Sequence, residues 1–488
     1  MFQINSSVQR KFITNLALLL FLNFLIKPFW IFGIDRTVQN TVSAEEYGIY
    51  FALFNFSMLF NILLDLGITN YNNRNIAQHK QLLAKYFSGI VVFKFLLAII
   101  YFLITFVVGY LVGYDSSRFN MLLFLSINQF LVSFIQYLRS NIAGLQLFTL
   151  DSLLSVLDKA LMIVFCAVLI WGNVFNIEFK IIHFVYAQTL AYSITLLIVF
   201  GIVTVKSKQF KFKLNKSFSL LILKQTYPYA LLILTMTFYY RLDAIMLDMM
   251  LEDGERQASI YAQAYRLMDA SNQIGVLFAA LLLPMFANMI KNNKRLDELV
   301  KLSFSLLFVP AAIVAVFSFS FSKQIMEVLY DSNTTESAQV LSVLMTCFVA
   351  IASTYIFGTL LTANGSLKTL NKLAIGGMAL NFILNLILIP RLQAEGSAIA
   401  SLITQFGIVV LQVFIVKRVF SFNINYKYIG IVALYLVMIL NLNWAVNMYV
   451  SGLLLQFTTF ICISVLLGVL MKIINLKKMY QIVVNREL

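Results

Sequence analysis

The stretch Tyr227-Pro228-Tyr229-Ala230-Leu231-Leu232-Ile233-Leu234-Thr235-Met236-Thr237-Phe238-Tyr239-Tyr240-Arg241-Leu242-Asp243-Ala244-Ile245-Met246-Leu247-Asp248 lies near the middle of a chain of 488 residues. It is long enough and apolar enough to cross a bilayer. Arg241 and Asp243 nonetheless stand well inside the apolar run. A charge at that depth costs on the order of 3 kcal/mol or more, so it rarely faces lipid. It faces a partner, or water inside the protein.

The rest of the chain repeats the pattern of this stretch. Hydrophobic residues make up 61% and charged residues 12%, more apolar surface than a soluble protein of this length can hide. The apolar residues come in runs of roughly 20, separated by short polar gaps. A β-barrel would show shorter alternating segments. The reading is an all-α integral membrane protein with 14 transmembrane helices. They are placed at about 12–34, 47–67, 86–112, 119–138, 155–171, 181–205, 226–249, 259–290, 302–321, 338–362, 371–390, 396–416, 428–447 and 452–471. Arg10 and Lys11 precede the first run, which is too long for a cleaved signal peptide and is read as a retained helix.

The net charge of +15 invites a nucleic-acid reading, but its distribution excludes one. With the N-terminus in the cytoplasm, 26 of the 36 Lys and Arg fall in inside segments and 6 in outside segments; Lys27, Lys94, Arg241 and Arg266 lie within helices. Arg139 and Lys159 are counted among the inside charges. This split puts both termini of a multi-pass membrane protein in the cytoplasm. Cys166, Cys347 and Cys462 fall in apolar runs and His79 and His183 stand apart, so neither a disulfide framework nor a metal site is expected.

The longest connection, 206–225, is basic with interspersed Phe and Leu, a positive-inside loop on the cytoplasmic face. Arg139–Lys159 carries apolar residues at helical spacing and reads as an interfacial elbow between helices four and five. A faint repeat also shows. Glu46-Tyr47-Gly48-Ile49-Tyr50 resembles Ala258-Ser259-Ile260-Tyr261, and Ala143-Gly144 resembles Asn364-Gly365. The offsets are six helices each, which gives two lobes of the same orientation. The organisation read from this is an N-terminal lobe at 1–205, a cytoplasmic loop at 206–225, a C-terminal lobe at 226–416, and two further helices with a tail at 417–488.

Lys27 and Arg241 each sit seven to eight residues before the outer end of the first helix of a lobe, about 10 Å below the surface. Asp35, eight residues beyond Lys27, is placed at the membrane surface. Arg266 and Asp269 are three apart on one face of helix eight. If the lobes face each other, these cations line one cavity, and such a cavity suits an anion, above all phosphate oxygens. Arg266 pairing with Asp269 or reaching the surface is the plainer alternative. Lys94 is expected to snorkel to the cytoplasmic face. Asp65, Asp243 and Asp269 are the carboxylates nearest the interior and the candidates for ion coupling. Pro28, Pro228 and Pro284 fall in membrane helices and would kink them, as would Pro310. Asn381 and Asn385, one turn apart, are expected to bond a neighbouring helix.

Ala363-Asn364-Gly365, Asn381, Asn385, Ile389-Pro390 and Gly396-Ser397-Ala398-Ile399-Ala400 resemble the C-terminal-lobe pattern of bacterial polysaccharide repeat-unit flippases, the Wzx type. Leu63-Leu64-Asp65-Leu66-Gly67 and Arg241-Leu242-Asp243-Ala244-Ile245-Met246 resemble that family too, so the resemblance covers nearly the whole chain. Gln393 departs from it, since the family often has glycine after the proline. The resemblance implies the fold of multidrug exporters and lipid II flippases, with two six-helix lobes around a central cavity. It implies an undecaprenyl-pyrophosphate oligosaccharide as substrate, as in O-antigen or other lipopolysaccharide and polysaccharide biosynthesis. Alternating access coupled to a proton or sodium gradient, no bound cofactor, and company with glycan-assembly proteins follow from it as well.

Two other functions compete. A cation-coupled drug exporter of the same fold would favour buried carboxylates over Lys27 and Arg241. A polysaccharide polymerase or glycosyltransferase needs a sizeable loop bearing catalytic groups, and no expected loop exceeds about 20 residues. A scaffold without transport would not need intramembrane Lys and Arg.

Overall fold

The computed structural model describes residues 21–474 except 24, 70–71, 74–75, 77–78, 173–177, 208–215, 294 and 423–424. Among the described residues every regular element is helical, and the helices number fourteen. The first, α1, is α-helical over 21–23 and 25–28, π-helical over Phe29–Asp35 and α-helical again over Arg36–Thr41. Then come α2 (Ala44–Leu59, followed by a 3-10 turn at Asn61–Leu64), α3 (Leu82–Val112), α4 (Ser116–Gly144), α5 (Phe148–Trp171) and α6 (Ile181–Ser207). They are followed by α7 (Lys216–Met250), α8 (Gly254–Lys291), α9 (Asp297–Leu329) and α10 (Thr334–Ala363). One long helical run, Leu367–Phe420, is broken at Gln393 into α11 (367–392) and α12 (394–420). The last two are α13 (Tyr426–Tyr449) and α14 (Leu453–Leu470).

Ten of these helical runs are long and apolar enough to cross a membrane, with 367–420 counted once. Among the others, α2 has 16 residues before its 3-10 turn, and α8 carries Arg256, Arg266 and Asp269 along its 38 residues. The chain is a multi-pass membrane protein. Its termini, expected in the cytoplasm, lie outside the described residues, as does the middle of the basic loop, 208–215. The ends of that expected loop are helical: Lys206 closes α6 and Lys216–Gln225 opens α7.

Local chemistry sets the helix ends. Ser43 begins α2 and accepts a bond from the Glu46 amide at 3.2 Å, and Asp115 begins α4 by accepting from the Arg118 amide at 2.9 Å. Such caps contribute about 1 kcal/mol each. The Glu46 carboxylate also takes the amide of Ile181 at 3.2 Å, capping the start of α6. Pro28 has no N–H to give, and the helix widens to π geometry directly after it. Pro228, Pro284, Pro310 and Pro390 likewise lie inside helices.

The expected interfacial elbow at 139–159 is absent: α4 runs through Gly144 and α5 starts at Phe148. The polar face read as interfacial is instead bonded across the turn, with Arg139 Nε on Asp151 Oδ1 at 2.9 Å. The turn itself shows the repeat in its backbone. Leu147 N bonds Ile142 O and Gln146 N bonds Ala143 O; Ser366 N bonds Leu361 O and Gly365 N bonds Thr362 O. Both are Schellman endings, with Gln146 (φ 64°) and Gly365 (φ 75°) in the left-handed position. Gly365 therefore corresponds to Gln146, two residues on from the Gly144 that the sequence match suggests. Gly144 is needed for another reason, since a Cβ there would stand 2.9 Å from Ile76 Cβ.

The chain divides into two compact units, Met1–Asp248 and Met249–Leu488. Thus α7, read from the sequence as opening the second lobe, is grouped with the first unit through Asp248. In that unit Ile68, Phe87, Val91, Phe134, Tyr137, Leu138 and Val203 form the main cluster, which joins α3, α4 and α6. In the second, α13 and α14 pack on α9 through Phe317, Phe321, Tyr435, Ile439 and Phe460. Lipid tails are as apolar as these side chains, so close packing rather than water exclusion holds the helices together.

Candidate functional site

The first unit carries a set of polar groups inside its helices. On α3, Lys94 is 1% exposed and its Nζ lies 2.9 Å from Asp65 Oδ1, just after the 3-10 turn, with Ser133 Oγ at 3.1 Å. The expected snorkelling of Lys94 is thus corrected: the ammonium turns inward and is neutralised there. Asp65 also accepts from the amide of Thr69 at 3.2 Å and bonds its hydroxyl. The chain reaches this geometry through Leu66 (φ 47°) and Gly67 (φ 82°), which turn the backbone so that the carboxylate points back at α3.

The α7 charges also find partners within this unit. Arg241 is half-buried, and its Nη1 donates to Asn55 Oδ1 of α2 at 3.2 Å. Asp243 is buried. At the end of the helix Asp248, with a fully buried side chain, takes a bidentate bond from Arg118 of α4 at 2.6 and 3.2 Å. Arg118 in turn lies over the Tyr114 ring at 5.6 Å.

In α1, Lys27 is half-buried one residue before Pro28. Asp35, read from the sequence as lying at the membrane surface, is 2% exposed. It accepts from Tyr47 Oη, at 3.1 Å from each of its oxygens, and from Gln39 Nε2 at 3.0 Å. Hydropathy alone misses it because it stands near the end of an apolar run.

Lys159, counted from the sequence as a cytoplasmic loop charge, is a membrane residue: it sits eleven residues into α5 and twelve from its end. Its Nζ reaches Tyr192 Oη of α6 at 3.1 Å and lies over the rings of Trp30 (5.4 Å) and Tyr192 (5.2 Å).

In the second unit Arg266 and Asp269 are half-buried on α8. Asn381 and Asn385 are fully buried; Asn385 donates to Asn381 at 3.1 Å and Asn381 to Ser401 of α12 at 3.5 Å, the interhelical packing expected of them. Among the described residues no cluster of His, Cys, Asp and Glu is arranged to hold a metal ion. The first unit thus places cations and bonded carboxylates inside membrane helices, where such groups are costly and rarely face lipid.

Residues 36–290 match the family described as polysaccharide biosynthesis protein, more than half of the chain. The chain belongs to that family. Comparison with curated protein sequences yields no match. Solved structures share its fold. The lipid II flippase MurJ in an inward closed conformation has a TM-score of 0.67 at 14% identity, covering 96% of this chain and 100% of that one. An inward-facing multidrug resistance MATE family transporter of the MOP superfamily scores 0.64 at 15% identity, covering 82% and 98%. A MOP superfamily transporter from Pyrococcus furiosus, whose binding pocket is described as of reversed polarity, scores 0.60 at 15% identity, covering 84% and 95%. This family member thus has the helical fold of the MOP superfamily transporters, as the sequence reading expects.

Proposed function

We propose that this member of the polysaccharide biosynthesis family flips undecaprenyl-pyrophosphate-linked oligosaccharide repeat units from the cytoplasmic to the outer leaflet of the bacterial inner membrane, by alternating access. The product would feed O-antigen, capsule or exopolysaccharide assembly, in company with glycan-assembly proteins. The observation that carries this reading is Arg241, a half-buried guanidinium inside an apolar helix, 3.2 Å from Asn55 Oδ1 of α2. In this role Lys27 and Arg241, both of the first unit, hold the pyrophosphate. Pro28, Pro228 and Pro284 supply the points at which helices bend.

Movement against a gradient needs a coupling ion, proton or sodium. The carboxylates proposed from sequence are Asp65, Asp243 and Asp269, and the buried Asp35 joins them. Alanine at Asp65, Asp243 and Asp269 together with asparagine at Asp35 should uncouple transport. Gradient-driven flipping that survives all four changes would remove these residues from the coupling step.

The buried Asp35 is also what favours the second reading, a cation-coupled drug exporter, since cationic drugs are met by carboxylates. The test is reconstitution into vesicles with a fluorescent undecaprenyl-pyrophosphate oligosaccharide in one leaflet and an impermeant quencher outside. The flippase reading expects the protected fraction to fall when the protein is present. Protection equal to that of empty vesicles, together with movement of a cationic dye, would favour the exporter.

A further inference from the structure

We infer that Lys159 binds an anionic oxygen group, phosphate or carboxylate, of the transported molecule; this rests on the flippase reading. Lys159 lies about 17 Å from either end of α5, near the bilayer midplane for a helix that spans it. An ionisable group at that depth marks a solute pathway unless it is neutralised in place.

The same unit shows what neutralisation in place looks like. Lys94 is 1% exposed, with a carboxylate oxygen at 2.9 Å and two further oxygens from Ser133 at 3.1 and 3.3 Å. Lys159 differs on each count. Its side chain keeps 26% exposure, although it stands at mid-helix. The nearest carboxylate oxygen, from the adjacent Asp158, is 3.7 Å away, beyond hydrogen-bond length. Its remaining contacts are Tyr192 Oη at 3.1 Å and Met162 Sδ at 3.8 Å.

The ammonium is aimed instead by rings. Trp30 and Tyr192 flank it from α1 and α6. Trp30 is itself fixed flat against the buried Phe184, 5.7 Å away and 9° from parallel, and the edge of Tyr50 closes on Phe184 at 5.4 Å. Cation–π contacts orient an ammonium without consuming all three of its N–H donors. One turn earlier on the same face of α5, Ser155 accepts a bond from Asn23 of α1 at 3.4 Å, which adds neutral donors and acceptors beside the charge. A pre-aimed, partly open ammonium, with its one carboxylate neighbour Asp158 held off at 3.7 Å and neutral polar groups one turn away, suits a phosphate of the lipid carrier or the carboxylate of an acidic sugar.

The test uses Trp30 as its reporter. The chain has three tryptophans, so Trp171→Phe with Trp444→Phe leaves Trp30 alone. The full-length protein in detergent is titrated at constant ionic strength with inorganic pyrophosphate, glucuronate and glucose. The inference expects a saturable change in Trp30 emission with at least one anion and none with glucose. Pyrophosphate alone assigns the phosphate, and glucuronate alone assigns a sugar carboxylate. Lys159→Gln should raise the midpoint about ten- to hundred-fold, and Lys159→Arg should restore part of the loss. No saturable change with either anion, or an unaltered midpoint in a folded Lys159→Gln protein, overturns the site. If that variant does not fold, Tyr192→Phe, which keeps the charge and removes one contact, must weaken binding, and an unaltered midpoint overturns the site equally. Failure to flip lipid in vesicles while Trp30 still responds would sink the flippase reading and leave the anion site standing.

Discussion

Lys94 of α3 and Asp65, which follows the 3-10 turn after α2, meet at 2.9 Å with Lys94 removed from solvent. Taking one partner away leaves a charge buried alone, which costs about 3–5 kcal/mol; replacing both with apolar groups costs much less. Asp65→Leu strands the buried Lys94 and should therefore lower the thermal unfolding midpoint in detergent sharply, and Lys94→Met with Asp65→Leu should recover much of it. A double variant no more stable than the worse single one would show that the pair does not act as a unit.

Gln393 holds φ 51° and ψ −131°, a conformation that glycine adopts at little cost. Its Oε1 accepts from Gln257 Nε2 at 3.1 Å, and Gln257 Oε1 takes the Ala394 amide at 3.3 Å, so α8 pins the break between α11 and α12. Relief of about 1–3 kcal/mol of strain outweighs one lost hydrogen bond of about 1 kcal/mol. Gln393→Gly should unfold at the same temperature as the parent or higher, and Gln393→Ile lower. The reverse order contradicts the geometry.

Gly275 of α8 faces the ring of Tyr355 of α10, and a Cβ there would stand 2.2 Å from Tyr355 Cδ2. Gly275→Ala should reduce the level of folded protein in the membrane, and adding Tyr355→Ala should restore part of it. A Gly275→Ala protein at parental level would show that the two helices do not approach this closely.

Single cysteines at positions 211 and 333, in a chain freed of Cys166, Cys347 and Cys462, test orientation. In intact cells an impermeant maleimide should label residue 333 and spare residue 211. Labelling of 211 without 333 would invert the topology.

Most helices were legible because their apolar runs are long and the polar gaps short. The stretches 181–205, 226–249 and 428–447 lie inside the observed helices. What misled was charge near a helix end. Lys159 follows a polar face that the eye takes for an interfacial elbow, yet Arg139 satisfies Asp151 across a three-residue turn and lets α5 begin at Phe148. Asp35 and Lys94 were likewise assigned to surfaces, because hydropathy records that a residue is charged and not whether a partner waits on another helix. Their partners, Tyr47 and Asp65, stand 12 and 29 residues away in sequence. The Gln393 turn was flagged by its missing glycine, and there the structure shows glycine-like backbone angles carried by glutamine.

The central claim is that cations inside the membrane hold the pyrophosphate of a lipid-linked glycan. Losing a charged hydrogen bond to phosphate costs about 1.5–3 kcal/mol, or roughly ten- to hundred-fold in binding. Arg241→Lys keeps the charge and loses the bidentate fork, so it should be partly active. Glutamate should be worse than alanine, because it repels the phosphate. The direct measurement is glycan export in a flippase-deleted strain carrying Lys27→Glu or Arg241→Glu, with the membrane level of each protein measured alongside. The account predicts export lost or sharply reduced at parental protein level. Normal export by both variants would contradict it and leave Lys27 and Arg241 as structural charges.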